Sequence, residues 1–275
     1  MQLFHRKWPN PGRNAGDDTH LARIRDWFSS DLGRQLLTSE KGVIDELLAG
    51  LFGYHLMQVS ILNDLLTDAS QINHKLCLGL CEKDKGSLQA SALELPFASD
   101  SIDLVLLHHI LDFYQSPKNI LKEAARVILP SGHLVILGFN PMSLWGLWKS
   151  VAKWSGNAPW NGSYIAPGRL MDWLNLLDFR IDRIHYLYNG PPLLLNRHPS
   201  VPDFSGGLRT NWPFGAIYVI VARKQVAGLT PLKPHWFSSR PLPQLNAVRS
   251  ARQSVLSHGA VTDISKYRLP DDGVR

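Results

Sequence analysis

The sequence predicts an α/β fold built on a mainly parallel sheet. Two observations carry this. Short runs such as Ile102–Leu107 and Gly132–Gly138 are apolar on both faces, as strands buried between two layers are. Between and around them lie segments with helical periodicity, notably Pro117–Ile128, and strand–helix alternation is the pattern of a parallel sheet.

The elements follow in order. Leu21, Ile24, Arg25 and Phe28 fit one face of a short helix, with Asp17, Asp18 and Thr19 as cap candidates. Val43, Leu47 and Leu48 continue a second apolar face up to Gly50. His55–Ser60, Lys75–Leu80 and Ser87–Ala90 read as short strands, and Ile102–Leu107 as a central one. Pro117–Ile128 reads as a helix with proline near its start and Ile120, Leu121, Ala124, Val127 and Ile128 facing inward. Gly132–Gly138 is the next buried strand, Pro167–Leu177 a further helix, and Arg180–Tyr188 and Gly215–Ala222 two closing strands. The reading divides the chain into a flexible start (1–16), one domain (17–224) and a Pro-rich basic tail (225–275) expected to be disordered.

Composition narrows the class. The chain has 275 residues, 44% of them hydrophobic, enough for one α/β domain with extensions. Two cysteines rule out a disulfide framework and suit a reducing compartment. No secretory signal and no run of about 18 apolar residues is visible, so a cytoplasmic, bacterial-type protein is expected. From Val226 to Arg275 there are seven bases and three acids. They are too thinly spread to predict nucleic-acid binding.

Residues 90–141 carry the most specific signal. Ser91-Ala92-Leu93-Glu94-Leu95-Pro96-Phe97 is followed by Ser101-Ile102-Asp103, His108-His109 and then Arg126-Val127-Ile128-Leu129-Pro130-Ser131-Gly132. This series resembles the class I S-adenosylmethionine (SAM)-dependent methyltransferases, of the type 11 kind. Gly138–Gly146, Leu51–Tyr54 and Leu229–Pro234 resemble a bacterial subgroup of that family. The resemblance runs over roughly residues 15–235. It implies a Rossmann-like class I methyltransferase fold, with a mostly parallel seven-stranded sheet and helices on both faces.

The resemblance also implies a cofactor, SAM, and its contacts. The family's acid at the end of the first strand falls on Gln58, and its three glycines fall on Ser60, Leu62 and Asp64. Glycine is used there because the backbone turns tightly and approaches the ligand with no Cβ in the way. Leu62 would place a branched side chain on the path of the SAM methionine. Glu82 and Asp84 are the first acids available for the ribose hydroxyls. Ser91 stands where a carboxylate would bond the adenine amino group, next to Ala92 and Leu93. The expected cofactor contacts are therefore Gln58, Ser60, Glu82, Ser91, Ala92 and Leu93.

Methyl transfer asks mainly for alignment and sometimes for a base. His108 or His109, at the end of the fourth strand, is the candidate, since an imidazole titrates near neutrality. A histidine satisfying a backbone carbonyl is the plainer reading. Asp112 reads as a surface or capping residue, or as an orienter of the imidazole. Asn140, Trp145 and Trp148 are expected to line the acceptor pocket. Leu144, Leu147, Trp148 and Val151 would form one face of a helix that packs on the sheet. Its Trp and Lys residues leave peripheral membrane contact open. His74, Cys77 and Cys81 have loosely metal-like spacing, but a strand places Cys77 in the core, so no metal is expected. Two functions remain: methyl transfer to an unknown, apolar small molecule, or a methyltransferase-fold binding or regulatory protein that has lost SAM.

Overall fold

The computed structural model describes residues 15–80, 84, 88–152, 160–187 and 213–226. Glu82, Trp154 and the tail beyond residue 226 lie outside them.

Seven strands form one sheet: β1 (His55–Ser60), β2 (His74–Gly79), β3 (Leu88–Gln89), β4 (Ile102–His108), β5 (Ile128–Phe139), β6 (Phe179–Leu187) and β7 (Ile217–Lys224). Their order is β3-β2-β1-β4-β5-β7-β6. The first five pair in parallel, and β7 runs antiparallel between β5 and β6. The Rossmann-like α/β architecture expected from the sequence is present.

β4 is buried at every residue but Asp103, and β5 is buried from Leu134 to Phe139. Their runs of Leu, Val and Ile suit the pleated, two-sided burial of central strands. Asp103 interrupts β4 for a reason: its Oδ2 accepts from the backbone N–H of Tyr54 and of His55, at 3.0 and 2.9 Å. That bond fixes the start of β1 against β4.

Six helices complete the described residues: α1 (Ala15–Phe28), α2 (Asp31–Leu48), α3 (Ile110–Phe113), α4 (Pro117–Val127), α5 (Leu144–Ala152) and α6 (Pro167–Leu176). α1 starts at Ala15, so Asp17, Asp18 and Thr19 lie inside the helix rather than capping it. α2 is capped by Ser30, whose side chain accepts from Gly33 N. It buries Leu36, Val43, Ile44, Leu47 and Leu48 on one stripe, and Glu40 lies on the same stripe. α4 starts on Pro117 and buries Ile120, Leu121 and Ala124.

α5 turns the opposite way from the expected one. Leu144 and Leu147 are 53% and 70% exposed, whereas Trp145 is fully buried. The Trp145 ring stacks 6.3 Å from Phe139 and also meets Trp27 and Trp160. An indole buries more apolar area than a leucine, so it decides the helix rotation.

The chain joins β1 to β2, and β2 to β3, without a described helix. The two helices before β1 take up the space instead. No described helix is long and apolar enough to cross a membrane.

Candidate functional site

The carboxyl ends of β1 and β4 meet at Ser60 and His108, which are register partners. In open α/β sheets this is where ligands bind. Here the position is filled by a buried polar cluster. Ser60, His108, His109, Asp112 and Glu40 are each 1% exposed or less.

Glu40 arrives from α2 and bridges both imidazoles. Its Oε2 lies 3.0 Å from His108 Nε2, and its Oε1 lies 2.8 Å from His109 Nε2. Consecutive strand residues point to opposite faces, so a regular backbone could not bring both rings to one carboxylate. His109 solves this with a left-handed conformation, φ 52°. Its N–H still bonds Leu137 O, and its ring then swings to the side of His108. The outer nitrogens are also occupied. His108 Nδ1 lies 2.9 Å from Ser60 Oγ, and His109 Nδ1 lies 3.0 Å from Asp112 Oδ2. Asp112 Oδ2 accepts from Phe139 N as well, while Oδ1 is buried with no partner among the described residues. Asp112 is thus an internal anchor, not a surface or capping residue.

Burial would push the Glu40 carboxyl up, but the charge on His109 and hydrogen bonds from both histidines pull it down to about 2. Burial would push His109 down, but Glu40 and Asp112 raise it to about 9. His108 is pushed down by burial and stays neutral. Burial raises Asp112. The cluster therefore holds a His109 imidazolium against a Glu40 carboxylate. His108 bridges Ser60 and Glu40 through its two ring nitrogens. Phe28 lies 6.1 and 5.6 Å from the two rings, and Phe139 lies 4.3 Å from His109.

Of the expected cofactor contacts, Gln58, Ser60 and Ala92 are buried, Ser91 and Leu93 are half-buried, and Glu82 lies outside the described residues. Gln58, fully buried, accepts from Leu66 N at 2.8 Å and donates to Asp64 O at 2.7 Å. It shapes the loop after β1. Ser60 Oγ accepts from Leu62 N. Ile61 and Leu62 are 0% and 6% exposed, so the branched side chain expected at the second glycine position fills that space. Asp84 binds the Arg25 guanidinium through both oxygens, at 2.8 and 2.9 Å, and accepts from Leu80 N. Arg25 Nε also donates to Ile61 O. Ser91 Oγ accepts from Leu93 N within its own turn, and Ala92 is buried. These residues do not fit SAM in the arrangement described. Asp84 is taken up by Arg25, and Ile61 and Leu62 fill the turn after β1.

The expected acceptor contacts lie at the end of β5 and on α5. Asn140 is buried and donates to Pro213 O and Gly215 O, tying the end of β5 to the segment before β7. Trp145 is inside the aromatic stack, and Trp148 is half-buried against the core. His74 is exposed beside His55, Cys77 is buried, and Cys81 lies outside the described residues.

Glu40 and Arg25 are the residues sequence reasoning missed. A signal existed for Glu40: a carboxylate on the same helical stripe as Leu36, Val43, Ile44 and Leu47 is either buried and partnered or misplaced. Arg25 likewise sits between Ile24 and Phe28 on the inward side of α1.

Comparison with known proteins agrees with the fold. A methyltransferase-domain family model matches residues 41–136. The uncharacterized protein YafS of Escherichia coli K12 is 33% identical over 213 residues, covering 74% of this chain and 82% of that one. A SAM-dependent methyltransferase of Thermotoga maritima superposes with a TM-score of 0.58 at 19% identity, covering 75% of this chain and 99% of that one. At that identity the likeness shows the architecture alone.

Proposed function

This chain belongs to one family with the uncharacterized protein YafS of Escherichia coli and carries a methyltransferase-domain match over residues 41–136, and we propose that it is a SAM-dependent methyltransferase in a self-closed form. The observation that carries the reading is where the closure is made. Arg25 ties down Asp84 and Ile61 O, at the ends of β2 and β1, where the family receives its cofactor.

Magnitudes decide which part can open. α2 buries five aliphatic side chains, each stabilising by about 1.5–3 kcal/mol. Lifting it would cost on the order of 10 kcal/mol, as much as a whole domain's stability. α2 stays seated. Arg25 is different: its side chain is 20% exposed, and it holds through hydrogen bonds. The stretch from Ile61 to Asn73 has no regular secondary structure. Opening is confined to these two parts. An apolar small-molecule acceptor is supported by Met142, Leu144 and Leu147, which are exposed next to the half-buried Trp148.

A second reading has its own observation. Ile61 and Leu62 are core residues, which favours a protein that keeps the fold and no longer takes SAM. Calorimetric titration of SAM and S-adenosylhomocysteine separates the two. The wild-type protein should bind weakly. Arg25→Ala removes the guanidinium from Asp84 and Ile61 O and should bind at least about tenfold tighter, a gain of about 1.4 kcal/mol. No heat at millimolar ligand from either folded protein sinks the methyltransferase reading in favour of the second.

A further inference from the structure

The buried cluster has the make-up of a metal centre, and methyl transfer plays no part in the argument. Glu40, His108 and His109 are the described residues whose donor atoms converge, all within 4.8 Å of one another. The two N···O separations are 3.0 and 2.8 Å. Two donors held about 2.1 Å from one ion lie about 3.0 Å apart at a right angle and about 3.4 Å apart at the tetrahedral angle, so an octahedral ion is met as the donors stand and zinc after they part by about half an ångström. The carboxylate presents one oxygen to each imidazole, so it can bind through both.

The surroundings supply a second, independent observation. A metal-bound histidine ordinarily passes its other ring N–H to an oxygen, which fixes the tautomer and the ring plane. Both histidines have such a partner: Ser60 Oγ at 2.9 Å for His108 and Asp112 Oδ2 at 3.0 Å for His109. The Asp112 carboxylate is itself held by Phe139 N. Its Oδ1 is buried with no described partner, an acceptor the cluster's own hydrogen bonds leave unused. Phe28 and Phe139 close the sides, giving the dry shell that strengthens charge–charge attraction.

We propose that Glu40, His108 and His109 form a site for a divalent transition-metal ion, with Glu40 binding through both oxygens and Asp112 and Ser60 orienting the imidazoles. Two imidazoles and one carboxylate suit zinc and ferrous ions and suit magnesium or calcium poorly. The ion would join α2 to the end of β4 and hold the two together. The donor atoms are sealed from solvent, so loading takes place as the chain folds.

The test uses the full chain, unfolded with chelator and refolded with Zn²⁺, then with Co²⁺ as a visible probe. Metal content is measured after removing unbound ion. The expected result is one ion per chain, cobalt absorption bands from nitrogen and oxygen ligands, and a raised melting temperature. His109→Gln and Glu40→Gln should lose the ion. A His55→Ala/His74→Ala variant removes the exposed histidine pair, a competing binder among the described residues, and should keep it. A correctly refolded wild-type protein that carries no ion at micromolar metal overturns the proposal. So does an ion that disappears with His55 and His74. If the cluster variants fail to fold, the wild-type cobalt spectrum and the His55/His74 variant still decide the matter.

Discussion

Leu62→Ala tests the packed cleft directly. Leu62 occupies the position where the family's turn carries glycine, and it is 6% exposed within the main core. Truncating a buried leucine to alanine costs about 2–5 kcal/mol, part lost transfer energy and part cavity. The turn is held by Leu62 N, which donates to Ser60 Oγ, and by Arg25 Nε, which donates to Ile61 O. It therefore cannot simply collapse into the void, and a value in the middle of the range is expected. With a urea m-value of about 2–3 kcal/mol/M, that moves the unfolding midpoint by roughly 1–2 M. Urea unfolding followed by far-ultraviolet circular dichroism is the assay. Leu144→Ala is the control, since Leu144 is 53% exposed and its loss should stay within about 0.5 kcal/mol. A Leu62→Ala cost as small as the control's would mean that the side chain is not packed. The cleft would then be open, and the argument that Arg25 and the turn close it would fail.

Two further outcomes follow from other parts of the fold. Glu123 is held below the usual carboxylate range, chiefly by its hydrogen bond from Arg126, with a further bond from Leu95 N. Its folded value is depressed, so its contribution is present above the ordinary glutamate pKa and is lost as pH falls below that value. Wild type and Glu123→Gln should therefore converge in melting temperature on acidification, and a gap that widens would contradict this. Gly138→Ala would put a Cβ 2.5 Å from Tyr218 Oη and 2.7 Å from Cζ, in the middle of the sheet. The fully buried ring has little freedom, so a loss of about 1–3 kcal/mol is expected in the same unfolding assay. No measurable loss would mean that β5 and β7 are less tightly apposed than described.

The central strands were legible because their chemistry leaves little choice. Leu104–Leu107 and Leu134–Leu137 are apolar without a break, and only a two-sided position accommodates that. The direction of β7 was not legible from its residues, because full burial erases the alternation that would separate one neighbour from two. The rotation of α5 was misread because Leu144–Ala152 is apolar nearly all round, and a helical wheel then offers no preferred side. Ring stacking on Phe139 settles it, and that is a tertiary fact. His108 and His109 were picked out correctly as a pair at the end of a strand. Their partner on α2 lies 68 residues earlier than His108, and no local pattern connects them. Gln58 shows the opposite limit. Its position along the strand was right, but it folds the next loop rather than facing outward.

The place of β7 has a consequence for how the chain is made. β5 and β6 do not pair with each other; each pairs with the strand that is synthesised last of the three. Until Ile217–Lys224 leaves the ribosome, β5 has a bare hydrogen-bonding edge and β6 has no partner at all. A nascent chain stalled ahead of Ile217 would therefore present adhesive edges rather than a smaller version of the same protein. A stop codon there should yield aggregates or proteolysis, even though every residue of the buried cluster would already have been translated.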